Sequence, residues 1–555
     1  MNLKKFFAEL KRRRVYSVAI AYVVGGWALC QGMAQVLPVF DIPNWVVRLI
    51  VVLIVLGFPV ALTLSWFFDL TRYGIVRTPN ADVARRIDPA QSASSSERSI
   101  AVLPFSDLSP AQDHDYFSDG IAEELLTALA KIDGLHVAAR RSSFWFKGRE
   151  TQLSEIASNL NVRHVVEGSV RRDGNRVRVT AELIDASNGF TVWSEKFDRE
   201  MHGIFALQDE ITRAIVDALK LKLEISPPPA SRSTDAYEAY LQGLFYSDKS
   251  TEEALRKSLE FFQRALDKDP KFSRACTGIA KAWLWLADTY VPPLEAYPKV
   301  RDAALRALRL SKDEAEAHVY LAESKRILDW DLDGAEAEFN RAIEFDSNST
   351  TSNYFVAALH AARGDREKAL AYLERTSRID PASLWVSNFA CELYRYFGLK
   401  DEAIAAGERS LQLDPAFLYG EPLLAALYRE MGRFDDAIGL YKKSQDLSGR
   451  VPFGLAITYA KMNRRKEAQE ILEAACASRG NYTPGDAIAH VKVELQEHEE
   501  AIRELERAYE EHSSSLHFIG IAPEFAPLRP DKRFVSIVKK TGLEPAKVFR
   551  ATGGT

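Results

Sequence analysis

Cysteine is scarce: Cys30, Cys276, Cys391 and Cys476 are the four in 555 residues. They are far apart and form no Cys-x-x-Cys pair, which excludes a disulfide framework or thiolate zinc site and leaves them as small apolar fillers of helix interiors. Catalytic signatures are missing as well. The ten histidines make no His-Glu-x-x-His pair, and neither Gly-x-x-x-x-Gly-Lys-Ser/Thr nor Gly-x-Ser-x-Gly occurs. The chain is therefore expected to be no enzyme, with no catalytic, metal-ligating or cofactor-binding residue and no cofactor. Excess positive charge is also absent. A net charge of −5 at pH 7 argues against a nucleic-acid partner, because phosphate neutralisation favours a strongly basic surface.

One acidic group invites a metal reading and fails it. Asp113, Asp115, Asp119 and Glu124 span the length of a calcium loop, but Phe117 and Ser118 stand where an EF-hand needs an oxygen ligand and a glycine. Solvated carboxylates leading into a helix N-terminus, with Ser118 or Asp119 as N-cap, account for the cluster.

The length calls for several domains, since single cores rarely exceed about 250–300 residues. Two apolar runs open the chain, Val15–Leu37 and Trp45–Phe68, each above the roughly 20 residues that cross a bilayer as a helix. They read as a transmembrane hairpin over 15–70, after a basic N-terminus at 1–14. Lys4, Lys5, Lys11, Arg12, Arg13 and Arg14 precede the first run and Arg72 and Arg77 follow the second, whereas 38–44 carries no Lys or Arg. The positive-inside bias places both ends in the cytoplasm at an inner membrane. A polar, small-residue linker is expected over 71–98.

A mixed α/β (α+β) domain is expected over 99–225. Ser99–Phe105 and His136–Ala139 read as strands, Ser118–Ile132, Leu153–Leu160 and Ile204–Leu223 as helices. His164–Arg171 and Arg176–Ile184 flank the turn Asp173-Gly174 and alternate at Val177, Val179 and Ala181, the mark of a hairpin. Thr191–Lys196 adds a strand. The order Ile100–Phe105, Phe117-Ser118-Asp119-Gly120-Ile121, Val166-Glu167-Gly168-Ser169-Val170 and Trp193-Ser194-Glu195 resembles the TolB N-terminal-like or FlgO-like domain. That resemblance implies bacterial company with signalling modules and tetratricopeptide arrays.

The second half is periodic. Ala335, Ala369, Ala403 and Ala437 lie 34 residues apart, and Arg375, Arg409 and Lys443 recur at the same spacing. A 34-residue period marks a helical repeat. Units stop at Asp269-Pro270, Asp380-Pro381 and Asp414-Pro415, where proline ends the helix. Tyr394 and Tyr428 precede Ala403 and Ala437 by nine residues, and the whole pattern resembles the tetratricopeptide repeat. About eight units fill an all-α superhelix over 236–515, with an insertion at Val291-Pro292-Pro293 in the second. Residues 516–555 then supply a capping helix and tail. Ala265, Phe262, Ala403 and Ala437 are core positions. The family resemblance lines the groove with Tyr354, Trp385, Asn388, Glu392, Arg395, Tyr419 and Arg429, an aromatic-plus-Arg surface suited to an extended protein or peptide partner.

The functional expectation is a membrane-anchored, non-enzymatic scaffold or adaptor that recruits protein partners. Its rival is a signalling subunit that senses a small ligand in the α/β domain and acts with a cyclase or transcription regulator.

Overall fold

The computed structural model describes residues 68–71, 74–77, 98–109, 115–130, 132, 135–149, 151–200, 204–219, 233–249, 251–414, 417, 419–478 and 482–551. The chain divides into two compact units, Met1–Ala93 and Ser94–Thr555. Within the first, β1 (Phe68–Thr71) pairs antiparallel with β2 (Gly74–Arg77). This corrects the expected hairpin of membrane helices at its edge, because Phe68 begins a strand. No helix among the described residues is long and apolar enough to cross a membrane. The remainder of both expected spans lies outside the described residues, so nothing in the fold upholds the anchor or the inner-membrane location that rested on it.

The second unit opens with a six-stranded mixed sheet in the order β5-β3-β6-β7-β8, with β4 also on β6. Its strands are β3 (Ser99–Val102), β4 (Ser106–Asp107), β5 (His136–Val137), β6 (His164–Asp173), β7 (Arg176–Asp185) and β8 (Phe190–Glu200). β3 runs parallel to β5 and β6, and β6, β7 and β8 form an antiparallel meander. Alternation decides which face is buried: Val177, Val179, Ala181 and Leu183 of β7 are fully buried because side chains two apart share a face. Over that face lie α1 (Asp115–Ala130) and α4 (Ile204–Ala218). Phe117, Ile121, Leu125 and Leu129, one helical turn apart, and Leu207, Ile211 and Ile215 all reach zero exposure there. On the opposite face α3 (Leu153–Leu160) packs Ile156, Ala157 and Leu160 on Ala101, Leu103 and Val165. A short helix, α2 (Arg140–Phe144), follows β5. It carries no amphipathic period and was not foreseen.

Eight antiparallel helix pairs follow: α5 (Thr234–Ser247) with α6 (Glu252–Lys268), α7 (Ser273–Leu286) with α8 (Pro293–Leu310), α9 (Ala315–Leu328) with α10 (Leu332–Phe345), and α11 (Thr350–Ala362) with α12 (Arg366–Ile379). The series continues with α13 (Leu384–Tyr396) and α14 (Lys400–Leu413), α15 (Gly420–Glu430) and α16 (Phe434–Ser448), α17 (Phe453–Lys461) and α18 (Arg465–Ala477), then α19 (Gly485–Glu494) and α20 (His498–Glu510). Ala335, Ala369, Ala403 and Ala437 are all at zero exposure, where only a methyl fits between crossing helices. Gly364, Gly398 and Gly432, again 34 apart, turn the chain within pairs at φ of +71°, +70° and +75°, a left-handed conformation that glycine adopts without a Cβ penalty.

Two features tie this unit together. The sheet domain and the first repeats share a single apolar core, in which Phe117, Ile121 and Leu125 pack with Tyr237, Tyr240, Leu241 and Phe262. The array also closes on itself. Thr289 of the insertion accepts from Arg450 Nη1 at 3.1 Å, Asp288 Oδ1 accepts from the Ser514 amide at 3.1 Å, and His512 Nδ1 lies 2.7 Å from the Ile327 carbonyl oxygen. Trp330 stacks on Tyr509 and His512 at 5.3 and 5.2 Å. The last elements, 3-10 turns at Ser514–His517 and Pro523–Leu528, α21 (Lys532–Lys540) and α22 (Pro545–Arg550), join the core of the middle repeats rather than only covering an open end.

Candidate functional site

The inner face of the repeats receives the chain's own sheet domain. α2 is the wedge. Ser142 Oγ donates to Asp380 and accepts from the Ala382 amide at 2.9 Å, while Trp145 Nε1 donates to the Leu413 carbonyl at 2.7 Å. Arg140 pairs with Glu123 at 2.8 Å and with Asp248, and Lys281 Nζ approaches the same Asp248 at 3.8 Å. Arg274 of α7 binds both oxygens of Glu124 at 2.5–2.6 Å, and Arg172 reaches Glu238 at 2.6 Å.

These contacts revise the reading of the acidic cluster. Asp119 sits inside α1, 7% exposed, and is met by Lys147 at 2.7 Å; it is not an N-cap. Glu124 is a tie between the sheet domain and the repeats, not a solvated carboxylate. Asp113 lies outside the described residues, and no group of His, Cys, Asp and Glu able to hold a metal occurs among those described. Burial pushes the carboxyls of Asp119, Glu123 and Asp380 up, against the opposing pull of Lys147, Arg140 and Ser142 respectively. At Asp248, burial is outweighed by Arg140 and Lys281, and the carboxyl lies below its usual range.

Between α1, α2 and the inner helices remains a cavity of about 570 Å³, within the range that takes a small molecule. Trp285 and Trp385 form one wall, ring centroids 4.6 Å apart, although they belong to the second and fifth repeats. The guanidinium of Arg141 lies 5.7 Å from each ring. Tyr320, Tyr354, Thr127, Asn348 and Thr350 add to the lining.

Of the seven groove positions, Tyr354 and Trp385 line this cavity. Tyr354 also packs on Phe389 at 4.3 Å. Tyr419 stacks on Trp385 at 4.8 Å and extends the aromatic wall. Asn388 is half-buried on α13, its Oδ1 without a hydrogen-bond partner among the described residues. Glu392 accepts from the Tyr396 hydroxyl at 2.8 Å. The two arginines are turned inward: Arg395 is 8% exposed and bridges Glu430 at 2.8 Å and Glu524 at 3.0 Å, and Arg429, 4% exposed, donates to the Tyr441 hydroxyl at 2.9 Å. Sequence reasoning missed Arg141 and Trp285. Arg141 carries no motif, and Trp285 falls off the 34-residue register of Trp385.

Comparisons with known proteins bear on this arrangement. Residues 96–214 match the family described as HilA/YgeH-like transcriptional regulator, second domain, and residues 423–449 match a tetratricopeptide repeat family. The chain is 40% identical over 186 residues to "Putative adenylate cyclase 3" of Rhizobium meliloti (strain 1021), a match covering 32% of this chain and 31% of that protein. The chain thus spans about a third of the length of this curated relative. Among solved structures, yeast Tom70 is similar at 15% identity and a TM-score of 0.35, covering 61% of this chain and 74% of that one. YrrB, a TPR protein with an unusual peptide-binding site, gives 17% identity and 0.25, covering 32% and 94%. TM-scores this low carry no argument.

The TolB-like assignment is corrected by the HilA/YgeH-like match. The glycines of the motifs that suggested it answer to close packing: Gly168 lies against Phe105 and Gly120 against Leu241. A cyclase-named relative at 40% identity likewise overturns the expectation of a non-enzymatic membrane scaffold, and the expected bilayer contact is not upheld, since no helix among the described residues is long and apolar enough to cross a membrane.

Proposed function

We propose that this chain is the ligand-responsive part of a signalling protein, in which the sheet domain docked in the repeat groove controls a cyclase or a transcription regulator. The observation that carries the reading is the cavity between the two, walled on one side by α1 and α2 and on the other by inner repeat helices. A ligand held there touches both parts at once, and its binding energy biases how they dock. The likeness to a putative adenylate cyclase and to the second domain of HilA/YgeH-like regulators supports the output side. Tyr354 and Trp385 contact the ligand in this reading, and Tyr419 backs Trp385.

The test is made in the host. The gene is deleted and restored either as wild type or as Thr127→Trp, which fills the cavity from the α1 wall. Cyclic AMP and the transcript profile are then measured. A change on deletion that wild type reverses and the filled variant does not reverse supports the proposal; unchanged cyclic AMP and transcripts throughout refute it.

A further inference from the structure

The cavity has a chemical bias. Eight carboxylate side chains line it against four cations, Arg140, Arg141, Arg274 and Lys281. Three of those cations face carboxylates already: Arg140 with Glu123 and Asp248, Lys281 near Asp248, and Arg274 with Glu124. A phosphate-bearing ligand would enter a field of its own sign. The fourth cation, Arg141, is held differently. Its guanidinium rests by the faces of Trp285 and Trp385, 5.7 Å from each centroid; among the described residues it makes no ion pair, and it acts on Asp380 and Asp248 only through space. Two indoles facing one cation form a cation–π seat. The cavity reaches solvent beside Glu344 and Phe345, both exposed.

We propose that the cavity binds a small organic cation of the diamine or polyamine class, whose ammonium group takes the Trp285–Trp385 seat in exchange for Arg141 while its further amines lie along the carboxylates toward Glu344. The assignment rests on the reading of the chain as ligand-responsive and names the ligand class. The exchange gives the ligand a mechanical consequence. Arg141 neighbours Ser142, which anchors α2 on Asp380 and Ala382, so a displaced Arg141 pulls on the joint between sheet domain and repeats.

Titration calorimetry on the full chain tests this with spermidine and putrescine, and with ATP and cyclic AMP as anionic comparisons. Spermidine is expected to bind, putrescine more weakly, and the nucleotides not at all. Trp385→Leu, which leaves every charge in place, is expected to weaken spermidine at least tenfold; where that variant melts early, Trp285→Leu on the facing ring serves instead. Spermidine binding equally well to wild type and to the folded tryptophan variant overturns the proposal, since surface charge alone then explains it. Nucleotide binding without spermidine binding overturns the ligand class and leaves the ligand-responsive reading standing. Binding of neither overturns the ligand class, and the ligand-responsive reading then stands or falls by the deletion experiment in the host.

Discussion

Asp288 stands at the tip of the insertion with φ +60°, and burial pushes its carboxyl up to about 6, against the pull of the Ser514 hydrogen bond. The ordinary value is 3.8, so between these limits the folded chain keeps a proton that the unfolded chain has released. Stability therefore falls as pH rises from about 4 to about 6 and stays lower above that. Asp288→Asn keeps an acceptor for the Ser514 amide and removes the charge. Urea unfolding should find the variant more stable than wild type by about 1–3 kcal/mol at pH 8 and nearly equal at pH 4; a less stable variant at pH 8 would contradict this. A second residue shows how sequence spacing misleads about environment. Arg395 and Arg429 recur at 34 residues, as groove-facing side chains would, yet spacing is blind to whether a carboxylate from 129 residues away, Glu524, covers one of them.

At the scale of elements, Phe262 of α6 is clasped between two glycines. A Cβ on Gly243 of α5 would come within 2.5 Å of its ring, and one on Gly278 of α7 within 2.6 Å. Three helices of two repeats thus approach through a single aromatic side chain. Gly278→Ala is expected to cost roughly 1–3 kcal/mol by overpacking, and Phe262→Leu in the same chain should recover part of it; thermal unfolding of the three variants decides. The repeat helices were legible because their period is enforced locally: Ala403 and Ala437 are fully buried, and a larger residue at either would separate a helix pair. α2 was not legible. Its five residues are held by Asp380, Ala382 and Leu413, partners 238–268 residues distant, and no local pattern records such contacts. The cavity, whose walls come from both halves of the second unit, was hidden for the same reason.

For the molecule as a whole, the C-terminal segment acts as a latch on the middle of the array. Burial alone would push the Glu524 carboxyl up, but Arg395 and His490 hold it at about 2. This contribution is present above the ordinary 4.5 and is lost as pH falls toward about 2. Arg395→Ala leaves Glu524 buried without its main partner and is expected to cost about 3–5 kcal/mol. Hydrogen exchange should rise in the Pro523–Leu528 turn and along α13 together. Exchange confined to α13 would show that the latch holds without the ion pair.

Closure of the array also bears on how such a chain can change over generations. Open solenoids gain or lose units by duplication or deletion, because each unit meets only its neighbours. Here Ile327 must meet His512, and Asp288 must meet Ser514. One more 34-residue unit between them would rotate the two ends out of register and break every closing contact at once. An added or lost unit is therefore expected to cost this chain its closing contacts, as it would not cost an open array.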